Sequence, residues 1–324
     1  MGILRHIFIA TLALCATACY DDFTPDIETE PVLCINSLIT AGEPIEVRVS
    51  RTWLYSDTAK SDRSVPDASV TVYVNGTTAG EDYIAREGDS IRIVAESAVY
   101  GHAEAATKVP VAVPIVDVSF SLSDISIWKD FSNPRFMYAD VHFDINAEMT
   151  LSDQAGADNF YRFSYTSFAK EYSTFYPGYF EYDAEPIFSE HEGVFESVMG
   201  YDSSGSTFFT DRQFAGDKYT LHLRFTYGGW RSQWSEEDEY ADMNFDCGLE
   251  FTLSSISESY YNWLCYMWHT ENGILGDISE IGLGAPLRGY SNVSTGAGVV
   301  AARTDTNYTL NLKEALKQAL ELND

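Results

Sequence analysis

The chain has 324 residues, 45% of them hydrophobic and 14% aromatic, and a formal charge of −29. So acidic a chain offers no basic footprint for nucleic-acid phosphates. It also gains nothing from an anionic lipid surface, so any hold on a membrane has to be covalent.

The first elements are export signals. Arg5 precedes an apolar run over residues 7–14, and small residues lead to Cys19. That order of basic, apolar and small residues is a secretory leader. The run is too short to span a bilayer, which takes about 20 residues. Cys19 directly after Thr17-Ala18 resembles the cleavage point of a bacterial lipobox, although Ala16 stands where Leu is commonest. Cys15 fits less well because bulky Leu14 precedes it, and a plain secretory leader is the competing reading. Residues 1–18 are therefore expected to be removed and Cys19 to carry acyl chains, each methylene adding about 0.8 kcal/mol of membrane affinity. Processing takes away one basic residue, Arg5, and no acidic one, so the charge becomes −30. Such a charge keeps a surface protein soluble. Residues 19–30 form an acidic tether, and its Asp21-Asp22 pair resembles an export signal for the outer face of the outer membrane.

From residue 31 the pattern is that of strands. Residues 32–39 form a strand, Gly42-Glu43-Pro44 turns the chain, and Ile45, Val47 and Val49 alternate with polar residues. Val70, Val72 and Val74 repeat the alternation before Asn75-Gly76, a hairpin turn pair. Strands are expected at 90–94 and 103–109, closed by Pro110 and Pro114. Short strands at this spacing predict an immunoglobulin-like sandwich over residues 31–113.

A larger β-rich domain is expected over residues 114–324. Its clearest strands are 116–122, 137–147, 160–168, 193–199 and 218–227. Ser255 with Glu258 reads as a capping box for an amphipathic aromatic helix near 256–272, stopped by Gly273. A short carboxy-terminal helix is expected near 312–322, with Leu312, Ala315, Leu316, Ala319 and Leu320 on one face and Asn311 and Glu314 as its caps. The fold class is thus mainly β, with no internal repeat. Cys34, Cys247 and Cys265 remain after the anchor. Export permits disulfides; Cys247 and Cys265 can pair, or remain free buried thiols.

No catalytic constellation stands out. His102, His142, His191, His222 and His269 lack zinc-ligand spacing, and His142 and His222 sit inside alternating strands. There is no Gly-x-Ser-x-Gly elbow, and carboxylates are too many to nominate one pair. The acidic run 235–242 reads as a solvated loop without the spacing of a calcium loop. Tyr172, Phe175, Tyr176, Tyr179, Phe180 and Tyr182 surround Pro177-Gly178. This reads as a loop of exposed aromatics, a means of holding a glycan, a peptide or a protein partner. Trp230 and Trp234 follow Gly228-Gly229 and are balanced between binding and core. Asp57-Thr58-Ala59 fits a short O-glycosylation pattern, with Thr58 the acceptor, as does Asp89-Ser90-Ile91.

Residues 253–263, Leu-Ser-Ser-Ile-Ser-Glu-Ser-Tyr-Tyr-Asn-Trp, resemble a helix-marking segment of one lipoprotein family. Tyr290-Ser291-Asn292-Val293, the Gly-rich residues 296–301, residues 153–161, residues 65–72 and Val109-Pro110 resemble further segments of it in the same order. The family is a group of lipoproteins of Bacteroidetes-type bacteria, domain of unknown function 4249. The resemblance covers nearly all of the mature chain. It implies a gene beside a TonB-dependent outer-membrane receptor and carries over no catalytic residue and no cofactor. The expected protein is therefore an outer-membrane-anchored, surface-facing, non-catalytic accessory to a nutrient receptor. The alternative is a surface adhesin or a structural assembly component.

Overall fold

A computed structural model describes residues 30–53, 63–80, 82–170, 173–190, 207–235, 245–272 and 289–321. The leader, Cys19, the tether up to residue 29, Thr58, Tyr172, His191, the 193–199 segment, acidic residues 236–242 and Gly273 lie outside them.

The described chain is mainly β. In order it forms β1 (Leu33–Thr40), β2 (Arg48–Arg51), β3 (Ser69–Val74), β4 (Thr77–Thr78), β5 (Ser90–Ser97) and β6 (Gly101–Lys108). Then come β7 (Ile115–Asp130), β8 (Met137–Ser152), β9 (Phe160–Ala169), β10 (Ser173–Tyr176) and β11 (Tyr179–Glu181). Two 3-10 turns, Tyr182–Ala184 and Pro186–Ser189, lead on to β12 (Phe208–Thr210), β13 (Lys218–Trp234) and β14 (Cys247–Ile256). Helix α1 (Glu258–Asn272), β15 (Val300–Asn311) and helix α2 (Lys313–Glu321) complete it. Neither helix is long and apolar enough to cross a membrane.

Three sheets share two main cores. A four-stranded sheet has the order β4-β3-β5-β6, a six-stranded sheet β12-β9-β14-β15-β1-β2, and a five-stranded sheet β10-β13-β8-β7 with β11 also on β13. The smaller core lies between the four-stranded sheet and β1. Ile91, Ile93 and Ala95 meet Leu33, Ile35 and Ile39 there, together with Val293, Val300 and Ala302. The larger core lies between the five-stranded and six-stranded sheets, where Val141, Phe143, Ile145, Leu223 and Phe225 meet Phe163, Leu249, Phe251 and Leu253. Leu316 and Leu320 of α2 join this core. On the six-stranded sheet, Tyr260 of α1 is buried with Ile256 and Ala301.

The Asn75-Gly76 turn has positive φ at both residues, 50° and 84°, as the tight hairpin turn requires. The alternation at 45–49 yields only the short β2, antiparallel to β1. On its other side β1 runs parallel to β15, Ser37 opposite Val300 and Thr40 opposite Arg303. Hydrogen bonding and the smaller core therefore cross the expected boundary at residue 113. The approach depends on Gly298 (φ 108°), where a Cβ would stand 2.1 Å from the Ile35 carbonyl oxygen.

Two local expectations are corrected. The aromatic segment read as a loop contains strands β10 and β11, both antiparallel to β13. The capping residue of α1 is Ser257, not Ser255. Strand β14 continues through Ile256, and the Ser257 hydroxyl accepts the Tyr260 N–H at 3.3 Å. Of the two alternatives left open for Cys247 and Cys265, the structure takes the one without a disulfide, and burial pushes the Cys247 thiol up to about 12. At the second helix, the Asn311 side chain accepts the Lys313 N–H at 2.8 Å.

Candidate functional site: an exposed aromatic face

Alternation along β8 turns Val141, Phe143 and Ile145 into the larger core. It turns Tyr138, Asp140, His142, Asp144 and Asn146 to the other side of the five-stranded sheet. Two β-bulges break this sheet at one level. In β7 the register shifts between Ser123, opposite Asp144, and Ser126, opposite His142. In β13 it shifts between Phe225, opposite Ile145, and Gly228, opposite Phe143. Each bulge contains a non-glycine residue with positive φ, Asp124 at 51° and Tyr227 at 58°. That conformation costs an L-residue about 1–2 kcal/mol. Such strain concentrates where structure serves binding or catalysis, and bulges re-aim side chains there.

The β13 bulge aims Tyr227 outward. Its ring is 78% exposed, and its N–H donates to Asp144 Oδ1 at 2.9 Å, which fixes the turn of the chain. Tyr179 stands beside it, with ring centroids 6.4 Å apart at 78°. Tyr176 continues the row, 6.5 Å from Tyr179 at 87°. Gly178 makes the row feasible, because a Cβ there would lie 2.1 Å from the Thr226 carbonyl oxygen. Across the sheet, on β7, Trp128 is 73% exposed and lies opposite Asp140. From β7 to β10 is three strand spacings, or about 14 Å at ~4.8 Å each.

Charged groups between these rings are held in fixed pairs. Arg231 donates to Asp140 Oδ2 through Nε (3.1 Å) and Nη2 (2.6 Å), and the Tyr138 hydroxyl donates to the same oxygen at 2.9 Å. Burial alone raises the Asp140 carboxyl, but the hydrogen bonds from Arg231 and Tyr138 and the guanidinium charge outweigh it and hold the group below the ordinary carboxylate value. Arg224 lies 3.4 Å from Glu181 and 3.6 Å from Asp144. A hollow of about 420 Å³ opens among Asp124, Ser126, His142, Asp144, Arg224 and Tyr227. The face thus offers exposed rings, a shallow hollow and pre-ordered polar groups. That chemistry suits stacking and hydrogen bonding to a ligand ring or to a partner's side chains.

Of the aromatics singled out in the sequence, the structure brings Tyr176 and Tyr179 together on this face. Phe175 points the other way and stacks on Phe143, 6.4 Å away. Phe180 is core, and Tyr182 packs edge-on against it at 4.9 Å. Trp230 has no exposure at all and is a core residue, because its position opposite Val141 faces inward. Trp234 is half-buried against Trp230, Phe131 and Phe245. Sequence reading missed Tyr227 and Trp128. Trp128 shares the parity of Phe120 and Leu122, so plain alternation turns it inward; the bulge between Ser123 and Ser126 resets the parity, sending Ile127 to the core and Trp128 to solvent. For Tyr227 the signal was the Gly228-Gly229 pair, which lies at a bulge inside β13 rather than in a turn.

Other striking residue types are structural pins. Glu185 is fully buried and accepts the Tyr219 hydroxyl and the His222 N–H, each at 2.7 Å. Asp153 accepts the Tyr161 hydroxyl and, at 2.6 Å, the Gly216 N–H. Burial first, then Asp153, pushes the Tyr161 phenol far above its ordinary value. Burial likewise raises the Asp211 carboxyl next to them. His142 lies 3.5 Å from Asp140 and His222 3.7 Å from Glu148, both imidazoles more than half exposed.

A search of curated proteins and a search of solved structures each return no match. A family model matches residues 20–309, which is most of the chain. The protein therefore belongs to the family described as Domain of unknown function (DUF4249).

Proposed function

We propose that this protein is an outer-membrane lipoprotein, held by acyl chains on Cys19, that acts as a non-catalytic binding accessory to a TonB-dependent nutrient receptor. The observation that carries the binding role is the exposed row Tyr176, Tyr179 and Tyr227 on a doubly bulged sheet. Folding alone gives no reason to keep a bulky residue in a left-handed conformation with its ring in water. The anchor is supported by the leader and by Cys19, and the receptor partnership by the resemblance read in the sequence. A face this open holds a glycan or peptide without enclosing it, as suits a protein that hands its cargo on.

The test is a native pull-down. A tag after Asp324 leaves Cys19 intact, and the outer membrane is dissolved in mild detergent. A stoichiometric barrel receptor is the expected partner, and its loss on Trp128→Ala/Tyr179→Ala/Tyr227→Ala substitution separates docking from cargo binding. A lipoprotein recovered alone at every detergent strength defeats the accessory reading. The second reading, a surface adhesin or assembly component, draws on the same open face, since a row of Tyr rings also suits a protein partner. It predicts cell or protein binding and no change in nutrient uptake on deletion.

A further inference from the structure

We infer that the cleft between residues 106–113 and the start of α1 is a second binding site, taking a neutral, hydroxyl-rich ligand of the saccharide class. The cleft has a volume of about 650 Å³ and shares no lining residue with the aromatic face. That size falls within the ordinary range for small-molecule sites. Its walls come from the end of β6 and the connection to β7, from the turn before β9, from the β14–α1 junction and from Tyr290.

The decisive group is the Ser255 hydroxyl. Ser255 lines the cleft and is 4% exposed, yet among the described residues its Oγ has no hydrogen-bond partner. Every neighbouring serine is satisfied. Ser254 donates to Asp305 at 2.6 Å, Ser257 accepts the Ala302 N–H at 3.0 Å, and Ser259 donates to the Val300 carbonyl at 2.9 Å. Asn292, also in the lining, is spent on both backbone groups of Val300. A buried hydroxyl left alone among satisfied neighbours marks a place where a partner is due.

The remaining chemistry selects the ligand. Gln154 offers a carboxamide at the exposed rim, and Asn262 and Tyr290, hydrogen-bonded to each other, keep spare hydrogen-bonding capacity beside it. Lys108 is the lone cation among the described lining residues, against Asp158 and Glu258. Glu258 occupies the first turn of α1, where an anion would otherwise be favoured. An anionic ligand is thus opposed, and an apolar one would leave the polar floor unpaired. An extended peptide finds little backbone to pair with. Pro110 has no N–H, and its carbonyl accepts Thr304 at 2.6 Å. The Val113 carbonyl accepts Thr306 at 2.8 Å, and the Ala112 N–H donates to Glu87 at 3.2 Å. Hydroxyls and carboxamides on side chains are what remain, and these are the partners of a sugar.

The test is calorimetric titration of the full chain in mild detergent with maltotetraose, cellotetraose, xylotetraose and chitotetraose, and with tetra-alanine and inorganic phosphate as contrasts. At least one tetrasaccharide is expected to bind. Ser255→Ala should weaken it about tenfold with an unchanged melting temperature, and Gln154→Ala about threefold. Tyr179→Ala/Tyr227→Ala should leave this binding as it was, so that failure here is distinct from failure of the aromatic face. The inference is overturned if none of the four sugars binds, if only tetra-alanine or phosphate binds, or if sugar binding ignores Ser255→Ala and Gln154→Ala.

Discussion

Tyr227 keeps a left-handed backbone within a strand, and the Asp144 carboxylate on its N–H is what fixes it there. Glycine adopts that conformation without steric cost but loses more chain entropy on folding. These effects oppose, so Tyr227→Gly should change stability by less than about 1 kcal/mol in a denaturant melt. The same substitution removes the most exposed ring of the row, so ligand or partner binding at this face should fall at least tenfold. A stability loss of several kcal/mol with binding intact would make Tyr227 a folding residue. Asp89 poses the opposite case. It is buried before β5 and accepts from Asn75 (2.9 Å), the Tyr83 hydroxyl (2.8 Å) and the Arg86 N–H (2.9 Å). Burial raises its carboxyl, but those three hydrogen bonds outweigh it and set it below the ordinary value. A carboxyl lowered by folding stabilises fully above its unfolded value of about 3.9, and that contribution fades as pH falls through the folded value. Asp89→Ala should therefore cost about 3 kcal/mol at neutral pH, three donors losing their acceptor. The gap to the parent chain should narrow below about pH 4, and a gap independent of pH would contradict the assignment. At this scale the sequence was half legible. Tyr176 and Tyr179 announced themselves through composition, but whether Trp230 faced core or solvent depended on strand parity, which a bulge resets.

The elements named from the sequence were mostly placed well and ended poorly, and β14 went unread, for a physical reason. The Ser-x-x-Glu pattern at Ser255 has the spacing of a capping box. Yet Ser255 pairs with Tyr161 on one side and Thr304 on the other, and sheet hydrogen bonds carry the strand past it. The helix begins only where Ser257 can accept Tyr260 N–H (3.3 Å) and Ala302 N–H (3.0 Å) together. Ser257→Ala removes both, so it should cost about 2 kcal/mol, whereas Ser255→Ala should cost close to nothing. Thermal melts of the two variants decide between the caps, and equal losses would show that neither serine caps α1. The segment around Pro177-Gly178 teaches the same lesson. Its Tyr, Pro and Gly content reads as loop, but β13 lends it a pairing partner that local propensity does not foresee.

Whole-chain organisation was the least legible level, because it rests on contacts between distant segments. Period-two alternation located the strands of residues 31–113, and turn chemistry located the β3–β4 hairpin. Neither signal says that β1 takes β15 as its parallel neighbour. The consequence is energetic. Leu33, Ile35 and Ile39 are buried in one core with Val293, Val300 and Ala302, so the amino-terminal module lacks a wall until the end of the chain arrives. Edge groups are also shared, the Ile35 N–H donating to Ala297 and the Ser37 N–H to Val299 at 2.9 and 3.0 Å. A fragment of fewer than 100 residues starts near the limit of what a single core can hold. Stripped of that wall, residues 31–113 should not fold alone. They should give a narrow amide NMR spectrum and no cooperative melt, while the full chain melts with both cores together. Gly298→Val should reproduce part of this loss in the intact protein, since its side chain meets the Ile35 carbonyl at the junction. A cooperative melt of the fragment would establish instead that β1 and the four-stranded sheet close on themselves, and β15 would then be a later addition to a finished sandwich.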